Sequence, residues 1–256
     1  MLRPLARRLK DPPIVEVVCG FFFSQLELDA IVVGKYWSER KEDQGYGRHQ
    51  LQPAVSDRPG LSLSEGIGPL RCWLIKDTDE YVLQIQADRF YFNWRKRQGG
   101  YPHFADHDGA DGVLTKSIRE FEEFKEFCAS VLKQEPTPTR FELTKVDLLV
   151  SPGHWKDYAD LTIVLPSLGK LPQIADEPSL SISLGGQRDG FQVHFGLTNV
   201  VLAEDMSAAV KIETRVSAAA SSDIRATMSA MNETANQIFF GMLNETELRR
   251  FGGLIE

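Results

Sequence analysis

The stretch Gln84-Ile-Gln-Ala-Asp-Arg-Phe-Tyr-Phe-Asn-Trp-Arg95 places four aromatic rings within a few residues of one another. In an extended strand, Phe90, Phe92 and Trp94 would line one face, and Arg89, Tyr91, Asn93 and Arg95 the other. The first face is an apolar wedge that needs a core to fill, so this chain must build a sheet and cover it with a second layer. The second face is polar, partly aromatic and basic, and it continues into Lys96 and Arg97. We read the strand as running from Ala87 to Arg95 in continuation of Glu80–Gln86.

Helices fit the segments on either side. Asp29 is placed to cap a helix carrying Ile31, Val32, Tyr36 and Trp37 on one side. From Val113 to Lys133, Leu114, Ile118, Phe121, Phe124, Cys128, Val131 and Leu132 recur in steps of three and four, the stripe of a helix packed on one face. Glu120, Glu122, Glu123 and Glu126 alternate with that stripe beside Lys116 and Lys125, which reads as a solvated helix face. Ser222 is placed to cap a last long helix carrying Ile224, Met228, Met231, Ala235, Ile238, Phe239 and Met242, and Asn244 a short turn around Leu248.

Strands are expected over Ile14–Phe23, Arg71–Lys76, Arg140–Val150, Leu161–Leu165 and Ala208–Val216. Ser179–Leu184 and Phe191–Asn199 form a further pair across Gly185-Gly186. Residues 43–69 read as a long loop with one short strand, and Leu168–Pro178 as a proline-bounded loop. The fold class is therefore α+β: two similar halves, residues 1–150 and 151–256, each with antiparallel strands covered by a long helix and packed together as one globular unit. A shared sheet and two smaller sheets both fit this pattern, and the strand order stays open.

Composition narrows the function classes. With 256 residues, 42% hydrophobic and 25% charged, the chain can bury a sizeable core. A net charge of −7 speaks against a general nucleic-acid binder, although Arg3–Lys10 and Arg95–Arg97 are local basic runs. Cys19, Cys72 and Cys128 are far apart, odd in number and set in apolar stretches. They read as buried free thiols of a reducing compartment. No run approaches the ~18 apolar residues of a membrane span. The segment from Ile14 follows two prolines, contains Glu16 and reads as a strand and not as a signal peptide. The expectation is a cytoplasmic protein with no membrane partner.

Candidate chemistry is sparse. His103, Asp106, His107 and Asp108, with Asp111 nearby, are metal-ligand residue types. Their spacing misses the calcium-loop pattern because Asp111 occupies the position that needs glycine. A solvated acidic loop leading into the positive N-terminus of the next helix accounts for the same residues. Gly185-Gly186 and Gly66-Ile-Gly68 lack the following helix and lysine of a phosphate-binding loop. His154 and His194 are isolated, and no nucleophile elbow is present. The residues imply no cofactor. The positions best suited to a ligand or partner are Arg89, Tyr91, Asn93, Arg95, Lys96 and Tyr101, which could meet an acidic partner, a phosphate or a stacked base. The same Arg and Asn side chains would equally serve a purely structural strand by satisfying neighbouring backbone and Asp88.

Asp11-Pro-Pro-Ile-Val-Glu-Val-Val18, the run Gln84–Arg95 followed by Tyr101-Pro102 and the Phe-rich helix, and the terminal helix with Phe239 near its end together resemble a sporadically distributed family of uncharacterised prokaryotic proteins of similar length. That family's strand at Phe141–Val150 usually carries an asparagine, and here Asp147 stands in its place. The resemblance implies a fold and no reaction, and by association it implies traffic with mobile-element or defence-related gene sets. The leading expectation is a non-catalytic binding or scaffold protein acting with a protein partner, possible as a homodimer. A nucleotide- or nucleic-acid-responsive protein using the basic-aromatic strand is the alternative, and a metal-dependent hydrolase the second alternative.

Overall fold

The computed structural model describes residues 8–55, 70–171 and 179–255. The start of the basic N-terminal run, Gly66-Ile-Gly68, and the end of the loop from Leu168 lie outside them. The strands are β1 (Arg8–Leu9), β2 (Ile14–Phe23), β3 (Arg48–Pro53), β4 (Leu70–Ile75), β5 (Tyr81–Gln86), β6 (Arg89–Arg95), β7 (Pro138–Val150), β8 (Ser181–Arg188), β9 (Phe191–Val201), β10 (Ala208–Ala219) and β11 (Leu254–Ile255). The helices are α1 (Ala30–Gln44), α2 (Val113–Leu132), α3 (Tyr158–Val164) and α4 (Ile224–Met242). Short 3-10 turns cover Leu168–Lys170 and Glu245–Phe251.

The α+β class holds, but two similar halves each covered by a long helix do not. The large sheet has nine strands in the order β3-β4-β5-β6-β2-β7-β10-β9-β8, and β1 pairs with β11 in a small second sheet. Among the described residues no helix is long and apolar enough to cross a membrane. The chain divides into two compact units. One is Val17–Leu143 with Ala219–Met228, and the other comprises the described residues of Met1–Glu16, Thr144–Ala218 and Ser229–Glu256.

In the first unit, the expected long strand is a hairpin. Ala87 and Asp88 form a two-residue turn, and β6 folds back antiparallel on β5 with Gln84 opposite Tyr91 and Gln86 opposite Arg89. The reversal lets both strands present their apolar faces to the helices. Phe21 stacks on Phe121 of α2 at 4.3 Å, Phe90 on Phe124 at 5.1 Å, and Tyr36 of α1 tilts against Phe127 at 4.9 Å. Such ring pairs add to plain area burial.

Helix α1 begins where its cap requires, with Asp29 accepting from the Val32 N–H at 2.8 Å. Of its expected apolar side Tyr36 is buried and Val32 and Trp37 are half-buried, but Ile31 is 81% exposed, and the residue buried beside Tyr36 is Arg40. The reason lies on α2. Glu120, read as solvated, is buried and ion-paired with Arg40, which also meets Glu123. Tyr46 Oη donates to the other Glu120 oxygen at 3.0 Å, and Gln44 Nε2 donates to Glu123 at 3.0 Å. A buried carboxylate is tolerable only when paired and hydrogen-bonded in this way.

In the second unit, Leu161–Leu165 is part of helix α3 and its end, not a strand. Asp157 caps it by accepting from the Asp160 N–H at 2.8 Å. Leu161, Val164, Leu165 and Leu168 then point together into a core with Leu149, Leu197, Ile212, Phe239 and Phe251. Burial of one helical face outweighs the strand preference of the Thr-Ile-Val run. Gly185-Gly186 lies inside β8, and the hairpin turns instead at Asp189-Gly190, both at positive φ (53° and 84°). Two consecutive positive φ angles are what a tight hairpin turn demands. Helix α4 is capped by Asp223, not Ser222, through the Ala226 N–H at 2.8 Å, while Asn244 caps the terminal turn.

Candidate ligand-binding face

Hairpin register in the first unit assembles one polar face across β4, β5 and β6. Trp73 pairs with Gln84, Gln84 with Tyr91, and Gln86 with Arg89, so Arg71, Trp73, Gln84, Gln86, Arg89, Tyr91, Asn93 and Arg95 share one side of the sheet. Phe22 of β2 packs edge-on against Tyr91 at 5.6 Å, and the Arg140 guanidinium lies 3.8 Å from its ring centroid. The close approach of Tyr91 depends on Gly20, where an added Cβ would meet Tyr91 ring carbons at 2.7 and 2.9 Å.

The deep part of this face is a settled network. Gln84 Nε2 donates to Asn93 Oδ1 at 2.9 Å, and Arg71 Nη1 donates to Gln84 Oε1 at 3.2 Å. Arg89 forks onto Asp88 at 2.9 and 2.8 Å and sits 4.7 Å from the Phe22 centroid. Gln86 exchanges hydrogen bonds with the backbone of Val55 at 2.8 and 3.0 Å and also donates to Asp88. Gln84, Gln86, Arg89, Tyr91 and Asn93 are all buried.

Around Trp73 the accounting does not close. Its ring is flanked by two guanidinium groups, Arg71 at 5.4 Å and Arg95 at 5.0 Å. Among the described residues Trp73 Nε1–H and Arg71 Nε–H are buried without a hydrogen-bond acceptor, and each such orphan donor costs about 1–3 kcal/mol. Among the described residues Arg71 meets Gln84 and the Trp73 ring but no carboxylate. Burial lowers the Arg71 pKa, Tyr91 opposes that, and the neighbouring charge of Arg89 adds to it.

The structure thus brings together Arg89, Tyr91, Asn93 and Arg95 from the sequence-derived set, but not the other two. Lys96 lies exposed beyond the end of β6. Tyr101 packs at 5.1 Å on Trp94, which belongs to the opposite, core-facing side. Missed at that level were Arg71, Trp73, Gln84 and Gln86. The alternation of Arg71 and Trp73 along β4 was the available signal, and its significance needed the register of three strands.

The histidine and acid cluster is otherwise occupied. Asp106 accepts from the Gly112 N–H at 2.9 Å at the start of α2, and Asp111 pairs with Arg119 at 2.8 Å. His107 stacks on His103 at 4.5 Å and reaches Asp108 at 3.0 Å. Among the described residues no group of three or more His, Cys, Asp or Glu is arranged to hold a metal ion. His154 Nδ1 accepts from the Val150 N–H, and His194 meets Ser183 at 3.0 Å on an exposed strand. Cys19, Cys72 and Cys128 are buried free thiols. Burial pushes Cys19 and Cys128 up to about 12 and Cys72 up to about 11, away from thiolate chemistry.

A concavity of about 1100 Å³ opens on the helix side of β3–β5. Leu26, Val33, Trp37, Leu51 and Ile85 line it, with Trp37 tilted on His49 at 4.3 Å. It supplies an apolar wall and no convergent set of donors. Comparison with protein-family models, with curated proteins and with solved structures finds no match to this chain.

Proposed function

We propose that this chain is a non-catalytic binding protein whose recognition face is the Arg71–Trp73–Arg95 side of the sheet, and that its ligand carries a phosphate, as a nucleotide does. The observation that carries this reading is the pair of buried orphan donors, Arg71 Nε and Trp73 Nε1, beside a guanidinium with no carboxylate partner among the described residues. A phosphate oxygen accepting from both recovers the cost of leaving them unmade and offsets the repulsion between Arg71 and Arg89. The Gln84–Asn93 pair behind them holds Arg71 in place before any ligand arrives, which lowers the ordering cost of binding.

The aromatic rings of β6 that a protein partner would grip are buried: Phe90 and Trp94 fully, Phe92 and Tyr91 nearly so. That shifts the weight towards the smaller ligand. The test is a thermal-shift titration with ATP, AMP and inorganic phosphate on the wild type and on Arg71→Gln. Saturable binding raises Tm with ligand concentration, by linkage about 2.7 kcal/mol at a hundredfold excess over Kd. Arg71→Gln removes that rise while keeping the unliganded Tm close to wild type. A flat wild-type response at millimolar ligand sinks the proposal.

A further inference from the structure

Independently of the phosphate reading, the edge of the sheet in the second unit carries its own information. Among the described residues, strand β8 is the last of the nine and pairs with β9 alone. Every residue from Ser181 to Arg188 is exposed except the half-buried Ile182. Leu184 is 61% exposed. Natural edge strands are blunted by lysine, proline, bulges or inward charges, yet Ser181–Gln187 holds no lysine, proline or charged residue, and the one charge of β8, Arg188, stands at its end beside the turn.

Register tells which backbone groups are open. Leu180 O accepts from Asn199 N at 3.0 Å, and the pairing continues through Ile182 with Leu197 and Leu184 with Phe195. In an antiparallel ladder, hydrogen-bonded and non-hydrogen-bonded pairs alternate. Leu180, Ile182, Leu184 and Gly186 therefore bond to β9, while Ser181, Ser183, Gly185 and Gln187 turn their N–H and C=O groups to the free edge.

We propose that β8 is the contact through which two copies of this chain pair, edge to edge and antiparallel, about a twofold axis at Leu184. Two features single out a second copy over an unrelated strand. In this register the outward residues meet one another, Ser183 with the partner copy's Gly185 and Ser181 with its Gln187, so each open group finds its complement. Side chains also fit: the two Leu184 residues oppose each other as a close non-hydrogen-bonded pair, and Ile182 faces the space above Gly186 of the other copy. Large against small on one face, with no charge opposed to a like charge, is the self-complementarity an isologous interface needs. A single strand edge buries less than the ~1,200 Å² of stable interfaces, so the dimer is concentration-dependent.

Light scattering after size exclusion, on the full chain from low to high micromolar, should show the mass rising from one chain towards two. Gly185→Pro removes an outward N–H, and its Cβ meets nothing within 4 Å; this variant should stay monomeric with an unchanged melting curve. Leu184→Cys should give a disulfide-linked dimer under mild oxidation, because non-hydrogen-bonded partners lie within disulfide reach. Gln187→Cys should not, and the native cysteines are buried. A wild type that stays monomeric throughout overturns the proposal. So does failure of Leu184→Cys to cross-link, or equal cross-linking at position 187, and these readouts stand even where Gly185→Pro disturbs folding.

Discussion

Replacing Asp147 with asparagine should remove a pH dependence that runs opposite to ordinary acid denaturation. Asp147 is buried on β7, two residues from Lys145 on the same face, and burial pushes its carboxyl up to about 7 against the opposing charge of Lys145. The Lys145 ammonium donates to Asn232 and Asn236 of α4 at 3.2 and 2.5 Å, with Glu233 of the same helix adding negative potential. Burial lowers its pKa in turn. The fold therefore prefers the protonated carboxyl, whereas an unfolded Asp releases its proton near 3.8. Between those values the folded chain holds more protons than the unfolded one, so this contribution is complete below about pH 4 and fades as pH rises towards about 7. A shift of about three units corresponds to about 4 kcal/mol in total. Asp147→Asn mimics the protonated acid at every pH. Urea unfolding of both proteins from about pH 4 to about pH 8 isolates the effect, because shared groups cancel in the difference. The variant should match the wild type at the acid end and gain up to about 4 kcal/mol on it at the alkaline end. A difference that stays flat refutes the argument. A variant weaker than the wild type at all pH values also refutes it, since that is the signature of a charged Asp147–Lys145 pair that stabilises the fold.

Glu120→Ala should cost about 1–3 kcal/mol in urea unfolding, because it leaves the buried Tyr46 hydroxyl without its acceptor and Arg40 with only the half-buried Glu123 as its carboxylate; a loss well below about 1 kcal/mol would mean the pair is solvated. Gly20→Ala should lose about 1–3 kcal/mol by driving a methyl into the Tyr91 ring, and the double variant with Tyr91→Val should recover part of it, whereas additive losses would count against the contact. Asp223→Ala should lower stability by about 1 kcal/mol and Ser222→Ala by less than half of that, measured as Tm or urea midpoint, and equal effects would show that the cap was misassigned.

Local chemistry made much of the fold legible. The β-branched and aromatic run after Pro12-Pro13 specified β2 to its end residues, the Asp29 and Asn244 caps are where their side chains imply, and the stripe of α2 places Leu114, Phe121, Phe124 and Cys128 in the core. Each is decided within one turn or one strand. The misreadings have other causes. Leu161–Leu165 has strand-like residues but became helical because a capped turn could bury Leu161 and Val164 against residues remote in sequence. The turn at Ala87-Asp88 did leave a local mark that the reading as one strand passed over: the apolar residues are odd-numbered before it (Tyr81, Leu83, Ile85) and even-numbered after it (Phe90, Phe92, Trp94), a break in phase that one continuous strand cannot accommodate.

The recognition face divides in the same way. Alternation alone placed Arg89, Tyr91, Asn93 and Arg95 on one side of a strand, with Phe90, Phe92 and Trp94 on the other, and that separation holds. Only the pairing of β4, β5 and β6 brought Arg71 and Trp73 beside them, and only packing revealed that Arg89, Tyr91 and Asn93 are buried and partnered while donors on β4 are not. Likewise, no local pattern could show that Glu120 is buried and Glu123 half-buried in ion pairs, since their partner Arg40 lies on another helix, 80 residues before Glu120. Side-chain periodicity is a property of a few consecutive residues and is written in the sequence. Register, burial and the matching of charges are free-energy balances between distant segments, and only the folded chain brings those segments together.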